Sequence, residues 1–113
     1  MVAGSVFSQD VTVLQINAKW NEKNNYDLSE LNGVIVKFSY LKDQPKEVQK
    51  SIGAVPVIVI IDKTGRVRMQ YVADLSFKIK ASNMEIQNVI NKIRWLANIF
   101  HTKKEQEALL LCV

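Results

Sequence analysis

Cysteine is all but absent from this sequence: Cys112 is the only one in 113 residues. A single thiol excludes an internal disulfide and a CxxC redox pair, and it leaves no cysteine cluster for zinc. A reducing, cytosolic-type compartment is the expectation that follows. Histidine is equally scarce, with His101 alone. That excludes a His-rich metal cluster, and no Ser-His-Asp constellation can be assembled around it with any support. No metal site and no cofactor is expected. Beside Lys103 and Lys104, His101 reads as part of a solvated helix end. No apolar run approaches the ~18 residues that would cross a bilayer. Met1 to Asp10 has neither a basic n-region nor a sustained apolar h-region, so no signal peptide is expected. Charge of one sign is also in short supply: the net charge is +4. An excess this small describes a slightly basic solvated surface rather than a nucleic-acid footprint. No internal repeat and no low-complexity linker is visible.

What the chain does have is one run around which the rest is arranged. Ile52-Gly53-Ala54-Val55-Pro56-Val57-Ile58-Val59-Ile60-Ile61-Asp62 has a tight apolar approach, a proline and an unbroken apolar run that stops at Asp62. Such a run reads as a strand buried on both faces, with Pro56 at its entrance because proline supplies no backbone donor. Lys63-Thr64-Gly65 makes a hairpin turn. Arg66 to Tyr71 then alternates polar with apolar residues, the pattern of an antiparallel strand with one wet face. Upstream, Val11 to Asn17 is a buried strand and Ala18 to Asn25 a polar connection. A short helix follows, capped by Asn24, Asn25 or Asp27 and ending near Leu31, with Tyr26, Leu28 and Leu31 as its apolar contacts. Asn32-Gly33 stops it. Val34 to Ser39 is the next strand, and a helix begins at Pro45, anchored by Val48 and Ile52. The longest helix is expected over 82–98. Ser82 and Glu85 form a capping-box pattern, and Met84, Ile86, Val89, Ile90, Ile93, Leu96 and Ala97 recur on one stripe. The 48% hydrophobic content and this length suit one domain with its own core.

This order, with its residues, resembles the thioredoxin family. There a strand leads into Ala-x-Trp-Cys-x-x-Cys; here it leads into Ala18-Lys19-Trp20-Asn21-Glu22-Lys23-Asn24. The family's Ile, three residues and cis-proline match Ile52 and Pro56, and its hairpin glycine matches Gly65. Its Val-Gly-Ala-Leu loop falls on Val72-Ala73-Asp74-Leu75. The resemblance spans roughly residues 11–97. It implies an α/β fold, a thioredoxin-like mixed sheet in the order βαβαββα with helices on both faces. Residues 1–10 are then an N-terminal arm, 11–98 the domain and 99–113 a C-terminal extension. It also implies a cis Val55–Pro56 bond.

The departures bear on function. Both redox cysteine positions are asparagine, Asn21 and Asn24, and the family's buried acid falls on Gln15. An amide cannot replace the thiolate that attacks sulfur, nor can it titrate. The chain is therefore expected not to be an enzyme of this kind. The resemblance places a partner-binding groove at Trp20, Asn21, Asn24, Val55, Pro56 and Ala73, where an extended peptide would dock like an added strand. The apolar end Ala108 to Val113, with Leu109, Leu110 and Leu111, is a candidate docking tail that folds back on the core or meets a neighbour. The function expected is a redox-inactive interaction or structural module with a protein partner or larger assembly. No membrane and no small-molecule substrate is indicated. The alternatives are a virus or phage virion or host-interaction component, which would place the chain in a viral particle, a thiol-dependent enzyme using Cys112, or a nucleic-acid accessory protein using Arg66, Arg68, Lys78, Lys80, Lys42, Lys46 and Lys50.

Overall fold

The computed structural model describes residues 11–96. The N-terminal arm, residues 97–98 of the expected domain, His101, Leu109, Leu110, Leu111 and Cys112 lie outside that range. Four strands form one mixed sheet: β1 (Thr12–Asn17), β2 (Ile35–Tyr40), β3 (Val57–Ile61) and β4 (Val67–Val72), in the order β2-β1-β3-β4. β2 runs parallel to β1, as expected for a strand reached by a crossover, while β3 is antiparallel to β1 and β4 antiparallel to β3. Helix α1 (Lys46–Ser51) follows Pro45, and helix α2 covers 83–96. Among the described residues, no helix is long and apolar enough to cross a membrane.

The core lies on one face of the sheet. Val11, Val13, Ile58 and Ile60 pack there with Leu28, Leu31, Ile86, Ile90 and Ile93. The isoleucines of α2 recur at 86, 90 and 93, which keeps them on the stripe that faces the sheet. Ser82 caps that helix: its Oγ accepts the Glu85 N–H at 3.1 Å. Met84, expected on the stripe, is exposed. It sits in the first helical turn, ahead of the first residue that reaches the core. β1 lies between β2 and β3, so the 41–56 connection must pass over it. With α2 and residues 26–31 on the core face, this connection takes the opposite face, where Ile16 and Val57 are buried.

One expected element is replaced. Residues 26–31 are not helical; a 3-10 turn at Lys19–Asn24 stands earlier, in the expected polar connection. The side chain of Gln15 explains this. Its Oε1 accepts the Tyr26 N–H at 2.7 Å and its Nε2 donates to the Tyr26 carbonyl at 2.9 Å. Tyr26 thus spends both backbone groups on a side chain and has none left for a helical ladder. Asp27 does not cap a helix either, since its Oδ1 accepts the N–H and hydroxyl of Ser29 in a local turn. Leu28 and Leu31 still reach the core as expected.

Candidate functional site

Where β1 ends and β3 begins, the chain gathers Asn17, Asn21, Asn24 and Asn25. Asn17 is the last residue of β1 and is fully buried. Its Oδ1 accepts the Ala18 N–H at 2.8 Å and lies 3.2 Å from Asn21 Nδ2. Its Nδ2 donates to the Asn21 carbonyl at 3.0 Å and to the side chain of Asn25. These bonds hold the tight turn that the 3-10 segment makes straight after the strand.

Asn21 is the hub. It is only 2% exposed, and its Nδ2 has the Val55 carbonyl at 3.3 Å and the Phe77 carbonyl at 3.2 Å besides Asn17. Its own Oδ1 accepts from Asn24 Nδ2 at 2.6 Å. One primary amide therefore joins three segments: the 3-10 turn, the loop before β3 and the loop after β4. The Val55–Pro56 bond is cis, and Val55, Pro56 and Ala73 are buried with Asn21. The Ala73 N–H donates to the Pro56 carbonyl at 3.0 Å, which continues the β3–β4 pairing past its end.

The structure thus brings together Asn21, Asn24 and Val55 by hydrogen bonds and Pro56 and Ala73 by backbone pairing. Of these, Asn21, Val55, Pro56 and Ala73 are buried and Asn24 is half-buried. A peptide adding itself at the proline loop would meet a Val55 carbonyl that already faces the Asn21 amide. Trp20 differs from the others in being 66% exposed. Its ring stands edge-on to Phe77, with centroids 5.2 Å apart and planes at 89°. Phe77 is 43% exposed and sits at φ 62°, an uncommon conformation for a bulky side chain. Asp74 shapes that loop: its N–H donates to the Lys78 carbonyl and its carbonyl accepts the Phe77 N–H, both at 3.0 Å, while its carboxylate accepts the Ser76 N–H at 2.8 Å. Hydrogen bonds from Ser76, with Lys80 nearby, hold the Asp74 carboxyl down at about 2. Leu75, at the tip of the same turn, is 98% exposed.

Phe77 and Leu75 were not among the residues picked from sequence. The signal was the Asp74-Leu75-Ser76 triplet, which sets a turn after the strand and leaves Leu75 with nothing to pack on. Gln15, where the resemblance puts an acid, is a buried amide with both ends satisfied by Tyr26. A second aromatic pair flanks the asparagine cluster, Phe38 against Tyr40 at 5.0 Å. The Tyr40 hydroxyl donates to Glu22 Oε2 at 2.9 Å, and that bond to a carboxylate holds its proton more tightly than usual. Of the basic side chains considered above, Arg68 pairs with Asp62 at 3.2 Å and Lys80 with Asp74 at 3.3 Å. Lys42, Lys46 and Lys50 are exposed on and before α1.

A mutant thioredoxin from Halobacterium salinarum NRC-1 is similar in structure, with a TM-score of 0.54 and 15% sequence identity over 80% of each chain. At that identity the likeness establishes the fold alone, and the fold is thioredoxin-like. No protein-family profile and no curated protein matches the sequence.

Proposed function

We propose that this chain is a thioredoxin-like module that binds a protein partner at the Trp20–Phe77 end of its sheet and carries out no thiol–disulfide chemistry there. The observation that carries the reading is the contrast at that end. Asn21, where the resemblance places an attacking thiol, is a buried amide bonded on all sides. Trp20 beside it is an exposed indole stacked edge-on against a second exposed ring. Neither asparagine can supply a thiolate. A solvent-facing pair of aromatic rings next to a bare leucine offers a large apolar contact, and tryptophan is the side chain most often dominant at protein interfaces.

Docking here uses side chains more than backbone, because the amide of Asn21 already occupies the Val55 carbonyl. The fitting partner presents an apolar side chain or short apolar segment. Insulin reduction with a dithiol reductant tests the inert half of the reading. The rate with this protein should equal the rate without it, and a Cys112→Ser variant should behave identically. Acceleration above the Cys112→Ser variant would show thiol turnover and overturn the proposal.

A further inference from the structure

The face of the sheet opposite the core is only part-covered by the described residues. Ile16 and Val57, at the end where β1 finishes and β3 begins, are buried. Toward the other end the cover fails. Leu14, Val59 and Ile61 are half-buried, and Ile35 and Val67 are exposed. The ladder registers place all five on this face: Leu14 pairs Val59, Thr12 pairs both Ile35 and Ile61, and Ile61 pairs Val67. A shallow cavity of about 520 Å³ opens there, with Thr12, Leu14 and Ile61 on its floor and Lys37 at its rim.

We infer that the apolar run Ala108 to Val113 of this same chain is the cover, seated on Leu14, Ile35, Ile61 and Val67. The place where the described chain stops supports this. The Arg94 guanidinium lies over Gly33, so the last turn of α2 reaches the end of the sheet where β2 starts. That is also where β1 starts and β3 finishes, and where the cavity opens. From Leu96 to Leu109 the chain can span about 20 Å as helix and about 43 Å if extended. Passing from one side of a sheet to the other takes about two layer spacings, roughly 20 Å.

Composition favours this segment. Residues 108–113 are six consecutive apolar residues, whereas residues 1–10 interrupt theirs with Gly4, Ser5, Ser8 and Gln9. A tethered segment also meets its own sheet at an effective concentration of about millimolar, well above that of a second copy in dilute solution.

Cys112 makes this testable, because it is the only thiol. A cysteine introduced at exposed Lys37 (Lys37→Cys), whose partner in the ladder is Leu14, should form an intramolecular disulfide with Cys112 under mild oxidation. The product should be monomeric, and it should form at least about tenfold faster than in an Asn88→Cys control on the outer side of α2. Replacing Leu109, Leu110 and Leu111 with serine should remove that tenfold preference. Circular dichroism checks that each variant is folded. Equal rates at the two sites, a disulfide that appears only in dimers, or a preference that survives the serine replacements would overturn the inference. A dimer-only product would assign the face to a second copy instead.

Discussion

Asn21 shows how one buried amide can hold three segments of a chain together. The resemblance places a thiol at this position. The amide instead turns inward, toward Asn17 and the carbonyls of Val55 and Phe77. Truncation would take that donor from the Val55 and Phe77 carbonyls, while Asn17 Oδ1 keeps the Ala18 N–H, and an unmet buried group costs about 1–3 kcal/mol. Asn21→Ala should therefore lower the free energy of unfolding by roughly that amount, read from the urea midpoint at unchanged slope. Asn24 is half-buried and its Nδ2 donates to Asn21 Oδ1, so Asn24→Ala should cost less, under about 1 kcal/mol. The sequence made the missing thiols plain. It did not reveal the network, because nothing in four scattered asparagines says that their amides share acceptors. That depends on the cis Val55–Pro56 loop and the turn at Phe77 arriving at the same place.

Turns are the elements that most needed the structure. Asp27-Leu28-Ser29, Asp62-Lys63-Thr64 and Asp74-Leu75-Ser76 adopt one local geometry, in which the aspartate Oδ1 accepts both the N–H and the hydroxyl of the residue two ahead. Two of these triplets mark strand ends that the sequence shows, since β3 stops at Ile61 just before Asp62 and β4 at Val72 shortly before Asp74. The helix expected over 26–31 was not formed because its spacing of leucines survives in a turn, while Gln15 takes the backbone groups that a helix requires. The Asp62 turn closes the β3–β4 hairpin, with added bonds from Arg66 N–H at 3.1 Å and the Arg68 guanidinium at 3.2 Å. Burial pushes the Asp62 carboxyl up, but the bonds from Thr64, Arg66 and Arg68 outweigh it and bring the group down to about 2. A carboxyl held below its unfolded value stabilises the fold above the unfolded pKa. That contribution is lost as pH falls from about 4 toward 2. The denaturant midpoint should fall across that window, and Asp62→Ala should flatten the fall while leaving the Asp74 part. Equal slopes in the two proteins would show that Asp62 contributes nothing to it.

At the scale of the whole molecule, one sheet separates two surfaces. The end carrying Trp20, Phe77 and Leu75 presents exposed apolar side chains, and the face around Leu14 and Ile61 is only part-covered by the described residues. The fold was readable because the Ala-x-Trp spacing, the proline and the hairpin glycine agree with the strand order, and the likeness to a thioredoxin establishes it. The end proposed for docking was half readable. Trp20 stood out in sequence, while its partner ring did not, since Phe77 reaches it only through a loop that returns from the far edge of the sheet. Affinity capture from the protein's native source, comparing wild type with Trp20→Ala and Cys112→Ser, tests the central claim most directly. A partner should be retained by wild type and by Cys112→Ser, and reduced at least about tenfold by Trp20→Ala, in line with the 2 kcal/mol or more typical of a hot-spot aromatic. Retention by Trp20→Ala, or loss in Cys112→Ser alone, would contradict it.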